Sequence, residues 1–288
     1  MKAAQFEYHA PETLEEVIAL KAELGDEAKI LAGGQSLVPS MNFRLARPSD
    51  LIDINRIKTA QDYEVKEDHI VISPLVRHAR FEAPRDPGPT SALLASACRH
   101  IGHLPIRTRG TFVGSIAHAD PAAEWSVVAL AAMAELRARS KSGERTMAAD
   151  EFFVGPYMTA LTDDEVLVEA RIPVLPTSMR VSFLELSRRA GDFALVCVAV
   201  VGDASAGLLR DVRIALGGVA SRPVRVPNVE ATLNGEAPSV ALFEEAARQA
   251  AGEINTIGDI HGSAGYRREL VSVYVRRGLE RAFLTTEA

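Results

Sequence analysis

The sequence contains little cysteine and no long apolar run. Its two cysteines, Cys98 and Cys197, are far apart and belong to no CxxC motif. We therefore expect buried thiols in a reducing compartment, with no iron–sulfur or zinc site in this chain. No stretch approaches the roughly 20 apolar residues that a membrane span requires. The first residues, MKAAQFEYHAPETLEE, become acidic too early for a signal peptide, so we expect a cytoplasmic protein.

Positive charge is also scarce. The chain has 32 Lys and Arg against 38 Asp and Glu, a net charge of −6, and no basic cluster. This balance argues against binding to nucleic acid or to an anionic membrane. The 288 residues suffice for one large or two small domains with a substantial core, and the 47% hydrophobic content is ordinary for a globular protein.

The residue patterns predict an α+β fold in two lobes. In residues 1–176, short strands and helices alternate, and Thr13 and Glu16 form a capping box before a helical run. In residues 177–288, three strand patterns (SFLELSRR, FALVCVAVV and DVRIALGGV) precede two amphipathic helices. The segment VLPTSM, at 174–179, is the best candidate for a linker.

A glycine pair follows the apolar run AKIL in the segment LAGGQSLVPS. Without Cβ atoms, Gly33 and Gly34 allow close approach of a ligand and positive φ angles. Successive amide groups in such a turn can bind an anion, so no lysine is needed, and Ser36 could cap the following helix. A plain turn is the alternative. The missing third glycine argues against a GxGxxG site, and the absence of GK[ST] excludes a P-loop.

A second loop of small and hydroxyl residues, GTFVGS at 110–115, begins about 75 residues later and precedes AHADPAAE. The two loops could bind the two phosphates of one dinucleotide from opposite sides. Thr111 and Ser115 supply hydroxyl donors. Asp120 and Glu124 supply carboxylates suited to ribose or ribityl hydroxyls.

These motifs resemble, in order, those of the FAD-binding medium subunit of the molybdenum hydroxylases. That family includes xanthine oxidase, aerobic CO dehydrogenase and quinoline 2-oxidoreductase. The matching segments are AGGQSL (32–37), TFVGSIAHADPAAE (111–124), DEVLVEARIP (164–173), RRAGDFA (188–194) and YRRELVSVYVRR (266–277). The N-terminal FEYHAP also fits, so the resemblance covers essentially the whole chain.

The resemblance implies a fold of two domains. The first, at 1–176, would be an FAD-binding domain of the vanillyl-alcohol oxidase type, with α+β subdomains at about 1–56 and 57–176. The second, at 177–288, would be a C-terminal domain like that of the CO dehydrogenase flavoprotein, in which a three-stranded sheet packs against helices.

The resemblance also implies roles for individual residues. Residues 29–37 would line the pyrophosphate and adenosine through backbone amides, and Thr111, Gly114 and Ser115 would close the other side. Ile101 would contact the adenine. The complete set of expected FAD-binding residues is Lys29, Ile30, Leu31, Ala32, Gly33, Gly34, Gln35, Ser36, Leu37, Ile101, Thr111, Phe112, Val113, Gly114, Ser115, Ala117, His118, Asp120, Glu124, Leu167, Asp192 and Phe193.

Four of these residues belong to the sugar and ring side of the cofactor. Glu124 would bind a sugar hydroxyl, and Leu167 would present its backbone to the isoalloxazine ring. Asp192 would lie close to that ring and Phe193 against its face. His118 has three interpretations: packing beside the flavin, a hydrogen bond to the loop, or a structural role.

Two positions depart from the family pattern. Val113 stands where the family usually has glycine, and a β-branched residue resists positive φ. Either position 113 is extended, or the loop is remodelled and binds FAD less tightly. Phe193 stands where several relatives have tyrosine, which preserves stacking but removes a hydroxyl.

Several other polar residues have simpler explanations. His100 and His103 lie near the second loop, but no zinc pattern accompanies them, and no metal site is expected. Arg188 and Arg189 either favour the reduced flavin or contact an iron–sulfur subunit, or they form a solvated pair. Asp53 is interpreted as a strand-end or turn residue.

The resemblance implies an electron-transfer subunit that transforms no substrate itself. It would take electrons from the 2Fe–2S clusters of a small subunit and pass them through FAD to an external acceptor. A large subunit with the molybdenum cofactor would complete a dimer of heterotrimers, whose substrate could be CO, an N-heterocycle or an aldehyde. The alternatives are a self-contained flavin-dependent reductase or oxidase, and a flavin-free assembly subunit, which only Val113 supports.

Overall fold

The N-terminal region is built on a small parallel sheet. The computed structural model describes residues 2–61, 63–83 and 86–285. The elements of this region are β1 (Glu7–His9), α1 (Leu14–Leu24), β2 (Ala28–Leu31), α2 (Leu37–Asn42) and β3 (Asp50–Asp53). The spatial order is β1-β3-β2, and both pairs are parallel. The loops after β2 and β3 therefore leave the same edge of the sheet, where ligands commonly bind in parallel sheets.

The predicted capping box is present at the start of α1. The Glu16 amide donates to Thr13 Oγ1 and the Thr13 amide donates to Glu16 Oε2, both at 3.2 Å. The three-residue strand β1 was not predicted.

The middle region contains an antiparallel sheet with the strand order β4-β5-β10-β6-β7. Its strands are β4 (Tyr63–Val65), β5 (His69–Ile72), β6 (Glu135–Ser140), β7 (Gly143–Ala148) and β10 (Val166–Pro173), and β8 (Phe153–Gly155) pairs with β9 (Met158–Thr159) in a separate hairpin. Its helices are α3 (Pro89–Cys98), α4 (Leu104–Arg107), α5 (Phe112–His118), α6 (Glu124–Ala131) and α7 (Ala149–Phe152).

The C-terminal region pairs an antiparallel sheet with three helices. The strands are β11 (Met179–Ser187), β12 (Ala194–Asp203), β13 (Arg210–Gly217) and β14 (Val224–Arg225), and the helices are α8 (Pro227–Leu233), α9 (Val240–Glu253) and α10 (Ala264–Phe283). The sheet has four strands, whereas three were predicted. The fourth, β14, has only two residues, too few to show strand periodicity, and it pairs with Ala215 and Leu216 of β13.

Strand β12 joins the core of the middle region to the core of the C-terminal region, because both of its faces are buried. Cys197 belongs to the cluster that contains Trp125 of α6, whereas Val198 belongs to the cluster that contains Val275 of α10. Burial on both faces explains the uninterrupted apolar run FALVCVAVV. Cys98 and Cys197 are buried free thiols, as predicted. Within the described residues, no helix is long and apolar enough to cross a membrane.

Candidate functional site

The two glycine-containing loops meet through their backbones. We call residues 32–36 the first loop and residues 109–115 the second loop. A Cβ atom on Gly33 would lie 2.5 Å from the Arg109 carbonyl oxygen and 2.6 Å from Gly110 Cα. A Cβ atom on Gly114 would lie 3.7 Å from Ala32 Cβ. Gly33 is therefore required for the close approach of the two loops.

The first loop presents unpaired backbone amides. Gly34 has a φ of +72°, which glycine adopts without strain. The Gln35 side-chain amide donates to the Gly33 carbonyl at 3.0 Å and so stabilises the turn. Within the described chain, the amides of Gly34, Gln35 and Ser36 donate to no protein acceptor. Such a run of free N–H groups is suited to an anion. Ser36 occupies the N-cap position of α2, as predicted, but its side chain makes no capping hydrogen bond.

The second loop ends in the first turn of α5. Thr111 is the N-cap, and its Oγ1 accepts from the Gly114 amide at 3.1 Å. Phe112 and Val113 point into the core and can offer a ligand only backbone atoms. Of the two alternatives for Val113, the extended backbone is wrong, because this residue lies within α5. A helix needs a negative φ, which valine adopts readily.

An open cavity of about 530 Å³ lies beside the first loop. It is lined by the loop, the start of α2, the end of β3 and one residue of the second loop: Leu31, Ala32, Gly33, Gly34, Gln35, Val38, Pro39, Asp53, Asn55 and Arg109. Arg109 is exposed, and its side chain has no ion-pair partner among the described residues. The positive charge that the first loop lacks is therefore supplied by the second loop.

A hydrogen-bond network that was not predicted from the sequence supports both loops. Asn55 Nδ2 donates to the Ala32 carbonyl at 2.8 Å. Arg77 donates to Asn55 Oδ1 at 2.7 Å, and also to the Arg109 carbonyl. Asp53 accepts from the Asn55 amide at 2.9 Å. Asp53 is thus a strand-end residue, as interpreted, and it orients Asn55.

The His118 ring packs against Tyr157, with ring centroids 5.1 Å apart. Tyr157 donates to Asp120 Oδ2 at 3.3 Å, and Asp120 Oδ1 accepts from the Ala122 amide at 2.9 Å. Burial lowers the pKa of His118, so its ring is neutral at pH 7. Tyr157 carried no signal in the sequence that would mark it as a member of this group.

Two carboxyl groups approach each other where the middle and C-terminal regions join. Burial raises the pKa of Glu124, at the start of α6, to about 7. Burial and the nearby Glu124 raise the pKa of Glu185, on β11, to about 9. Glu185 Oε2 is buried and has no hydrogen-bond partner within the described chain. Sequence reasoning identified Glu124 but not Glu185.

The RRAGDFA segment packs against the chain that follows α3. A Cβ atom on Gly191 would lie 2.6 Å from His103 Cε1, and Arg188 pairs with Asp192 at 3.6 Å. Phe193 is 72% exposed, so its ring is free to stack on a planar group. Ile101 is buried in the core.

Helix α4 connects this surface to the second loop. The Ile106 carbonyl accepts from the Gly110 amide at 2.7 Å, and the Ile106 side chain would lie 3.0 Å from a Cβ on Gly102. Leu167 lies on β10 and is buried, so only its backbone is available to a ligand.

Two family models together match most of the chain. The FAD binding domain in molybdopterin dehydrogenase matches residues 4–175, and the CO dehydrogenase flavoprotein C-terminal domain matches residues 181–282. Among curated proteins, the nicotine 6-hydroxylase medium subunit of Paenarthrobacter nicotinovorans is 40% identical over 98% of this chain and 99% of its own. The carbon monoxide dehydrogenase medium chain of Hydrogenophaga pseudoflava is 35% identical over 97% of each.

Solved structures match over nearly the whole chain. A chain of carbon monoxide dehydrogenase from Hydrogenophaga pseudoflava superposes with a TM-score of 0.94 at 36% identity, covering 98% of both chains. A chain of quinoline 2-oxidoreductase from Pseudomonas putida 86 superposes with a TM-score of 0.92 at 33% identity, again covering 98% of both.

Proposed function

Because the chain belongs to the family of FAD-binding medium subunits of the molybdenum hydroxylases, we propose that it carries electrons from 2Fe–2S clusters of a partner subunit, through FAD, to an external acceptor. The matches to family models, relatives and solved structures confirm the predicted family, the α+β fold, the oxidoreductase class and FAD as the cofactor. The main structural support for the proposal is the backbone contact between Gly33 and Gly110, which brings the two loops together beside the cavity.

The chain's own residues would bind and orient the cofactor. The free amides of Gly34, Gln35 and Ser36 would donate to the diphosphate, with Arg109 adding positive charge. In the first turn of α5, the Phe112 and Gly114 amides already donate to the Val76 carbonyl and to Thr111 Oγ1. The Val113 amide has no described acceptor and would donate to the same group. When bound, FAD supplies the chemistry, because a flavin exchanges electrons singly with clusters and in pairs with other acceptors.

The ring side of the site would be formed by residues around the join between the regions. Phe193 would lie on the isoalloxazine ring, Asp192 beside it, and the Leu167 backbone at its edge. His118 would pack beside the flavin together with Tyr157, whose ring it contacts. No acid or base for substrate chemistry is needed in this chain.

The relatives' names indicate that such chains have partner subunits. Terms such as medium subunit, medium chain and complex subunit alpha describe chains that work with others. The partners would be a small subunit with the 2Fe–2S clusters and a large subunit with the molybdenum cofactor, assembled as a dimer of heterotrimers in the cytoplasm. The large subunit would hold the substrate pocket.

The test is to purify the complex from native cells through a tag on this chain, and to compare wild type with Gly33→Ala. Wild type should contain flavin, iron, sulfide and molybdenum. Gly33→Ala should retain the metals and lose most of the flavin, because any Cβ atom at this position forces the two loops apart. Reduction of an artificial dye acceptor should fall with the flavin content, whereas dithionite should still reduce the clusters.

Gly252→Ala is the matched control, because a Cβ atom there meets no other atom within 4 Å. It should leave the flavin content unchanged. A tagged wild-type chain that purifies with flavin but without metal-containing partners, and reduces a small substrate by itself, would instead support a self-contained flavoenzyme. A wild-type complex that contains the metals but never contains flavin would support an assembly subunit.

A further inference from the structure

Asn55 and Arg77 form a bridge between the two loops. The Asn55 amide has one donor end and one acceptor end, and both are used: Nδ2 donates to the Ala32 carbonyl at 2.8 Å, and Oδ1 accepts from Arg77 at 2.7 Å. The same guanidinium donates to the Arg109 carbonyl. An unbroken path of three hydrogen bonds thus joins the first loop to the second.

The bridge is built from positions that bring the loops together. Asn55 follows β3, at the same edge of the parallel sheet as the first loop. Arg77 forms an isolated β-bridge with Thr111, and the neighbouring His78 amide donates to the Gly110 carbonyl at 3.0 Å. Each partner of the bridge is therefore held by its own backbone contacts.

We propose that Asn55 and Arg77 are positioning residues that hold the two loops at the separation required to bind one diphosphate. This inference rests on the proposed function. The described partners of the Arg77 guanidinium are Asn55 and a loop carbonyl, so its hydrogen bonds act on the site. Because every hydrogen bond of the bridge is made within this chain, the bridge limits the conformational freedom that the loops would lose on binding.

The chemistry of each residue is specific. Aspartate at position 55 would have nearly the same shape and could still accept from Arg77. It would, however, set a carboxylate against the Ala32 carbonyl and against Asp53 Oδ1, to which Asn55 Nδ2 also donates at 2.6 Å. Lysine at position 77 would keep the charge but lacks the planar group that bonds Asn55 and Arg109 together. Loss of the guanidinium would leave Asn55 Oδ1 and the Arg109 carbonyl without their described donor.

The experiment measures FAD dissociation constants of the full-length chain by fluorescence titration, alongside thermal unfolding of the flavin-free chain. The variants are Asn55→Asp, Arg77→Lys, Arg77→Ala and the double variant Asn55→Asp/Arg77→Ala. Arg80→Ala is the matched arginine control, because its guanidinium stacks on Tyr63 with the charge centre 5.3 Å from the ring centroid. Asn255→Asp, at an exposed position, controls for the added charge.

Asn55→Asp and Arg77→Ala should each weaken FAD binding by about tenfold to a hundredfold, the range expected for losing a hydrogen bond that involves a charged group. The double variant should bind FAD at most about threefold more weakly than the weaker-binding single variant, because either change alone breaks the same bridge. Arg77→Lys should bind FAD more tightly than Arg77→Ala but more weakly than wild type. Added guanidinium ion should partly restore Arg77→Ala, whereas sodium chloride of equal ionic strength should not.

Three outcomes would overturn the inference while leaving the proposed function intact. The first is wild-type affinity in both single variants. The second is additive losses in the double variant. The third is a loss of FAD affinity that is fully explained by destabilisation, with the melting temperature of the flavin-free chain falling in proportion across the variants. Failure of the wild-type chain to bind FAD at all would overturn the proposed function together with this inference.

Discussion

The neutral histidine beneath the second loop shows how one residue couples the core to the site. His78 is buried, and its Nδ1 accepts from Trp125 Nε1 at 2.8 Å. An indole N–H only donates, so this ring nitrogen must keep its lone pair and the ring must be neutral. Burial lowers the pKa of His78 to about 3. A Cβ atom on Gly110 would lie 2.5 Å from His78 Nε2, so the imidazole touches the second loop.

His78 should make the fold sensitive to acid. In the unfolded chain a histidine binds a proton below about pH 6.5, whereas folded His78 does so only near pH 3. The unfolded state therefore binds more protons between these values, and the free energy of unfolding should fall as the pH decreases, by up to about 1.4 kcal/mol per pH unit. His78→Gln should reduce this slope in urea unfolding measured at pH 7, 5 and 4.

The His78→Gln substitution should itself reduce stability, so it needs a control. Glutamine can offer an oxygen to Trp125 but packs differently, so His78→Gln should be less stable than wild type at pH 7. His261→Gln, which changes an exposed histidine, should leave both the stability and the slope near their wild-type values. An unchanged slope in His78→Gln would show that other groups cause the acid sensitivity.

At the scale of elements, the N-cap of α5 links helix stability to the geometry of the second loop. Thr111 is buried, and its hydroxyl oxygen accepts from the Gly114 amide. Thr111→Val would keep the shape and remove this acceptor, and it should cost about 1 kcal/mol in the free energy of unfolding of the flavin-free chain. FAD affinity should also fall, because the first turn of α5 forms part of the loop. Thr111→Ser should retain both properties.

A second N-cap separates these two effects. Ser239 caps α9 in the same way, accepting from the Leu242 amide at 3.2 Å, but it lies in the C-terminal region. Ser239→Ala should therefore reduce stability by a similar amount and leave FAD affinity unchanged. Equal losses of affinity in Ser239→Ala and Thr111→Val would mean that affinity follows global stability and not the loop.

Local patterns predicted the elements that contain enough residues to show a period or a cap. The capping box of α1 and the amphipathic helices α9 and α10 are examples. Strands β1 and β14, with three and two residues, were missed because such short segments show no period. At this length, strand pairing depends on partners that are distant in sequence.

The sequence marked the two loops that the structure brings together, but not the side chains that connect them. The glycines marked both loops, whereas Asn55 and Arg77 are 22 residues apart and meet only through the packed fold. The position of Asn55 at the edge of the parallel sheet could have marked it as a site residue. Recognising that edge, however, required knowledge of β1 and of the strand order. For Val113, the family pattern directed attention to positive φ, although the residue is helical.

At the scale of the whole molecule, the middle and C-terminal regions share buried groups as well as a core. The Gly218 amide donates to the Pro121 carbonyl at 2.8 Å across this join. Glu185 lies opposite Cys197 in the β11–β12 pair, and its charge interacts with that of Glu124 on α6. A carboxyl group that is buried without a hydrogen-bond partner favours its protonated form. Ionisation of Glu185 should therefore weaken the join between the regions.

The join should consequently lose stability in alkali. An unfolded glutamate releases its proton near pH 4.5, whereas folded Glu185 keeps it up to about pH 9. The folded state binds more protons between these values, so the free energy of unfolding should fall as the pH rises. Glu185→Gln, an uncharged side chain of similar shape, should reduce that fall by up to about 1.4 kcal/mol per pH unit in urea unfolding between pH 6 and 9.

Glu244→Gln, on the exposed face of α9, is the control and should leave the fall in stability with pH unchanged. If Glu185→Gln declines with pH as steeply as wild type, Glu185 is already ionised in the folded protein and the join tolerates its charge.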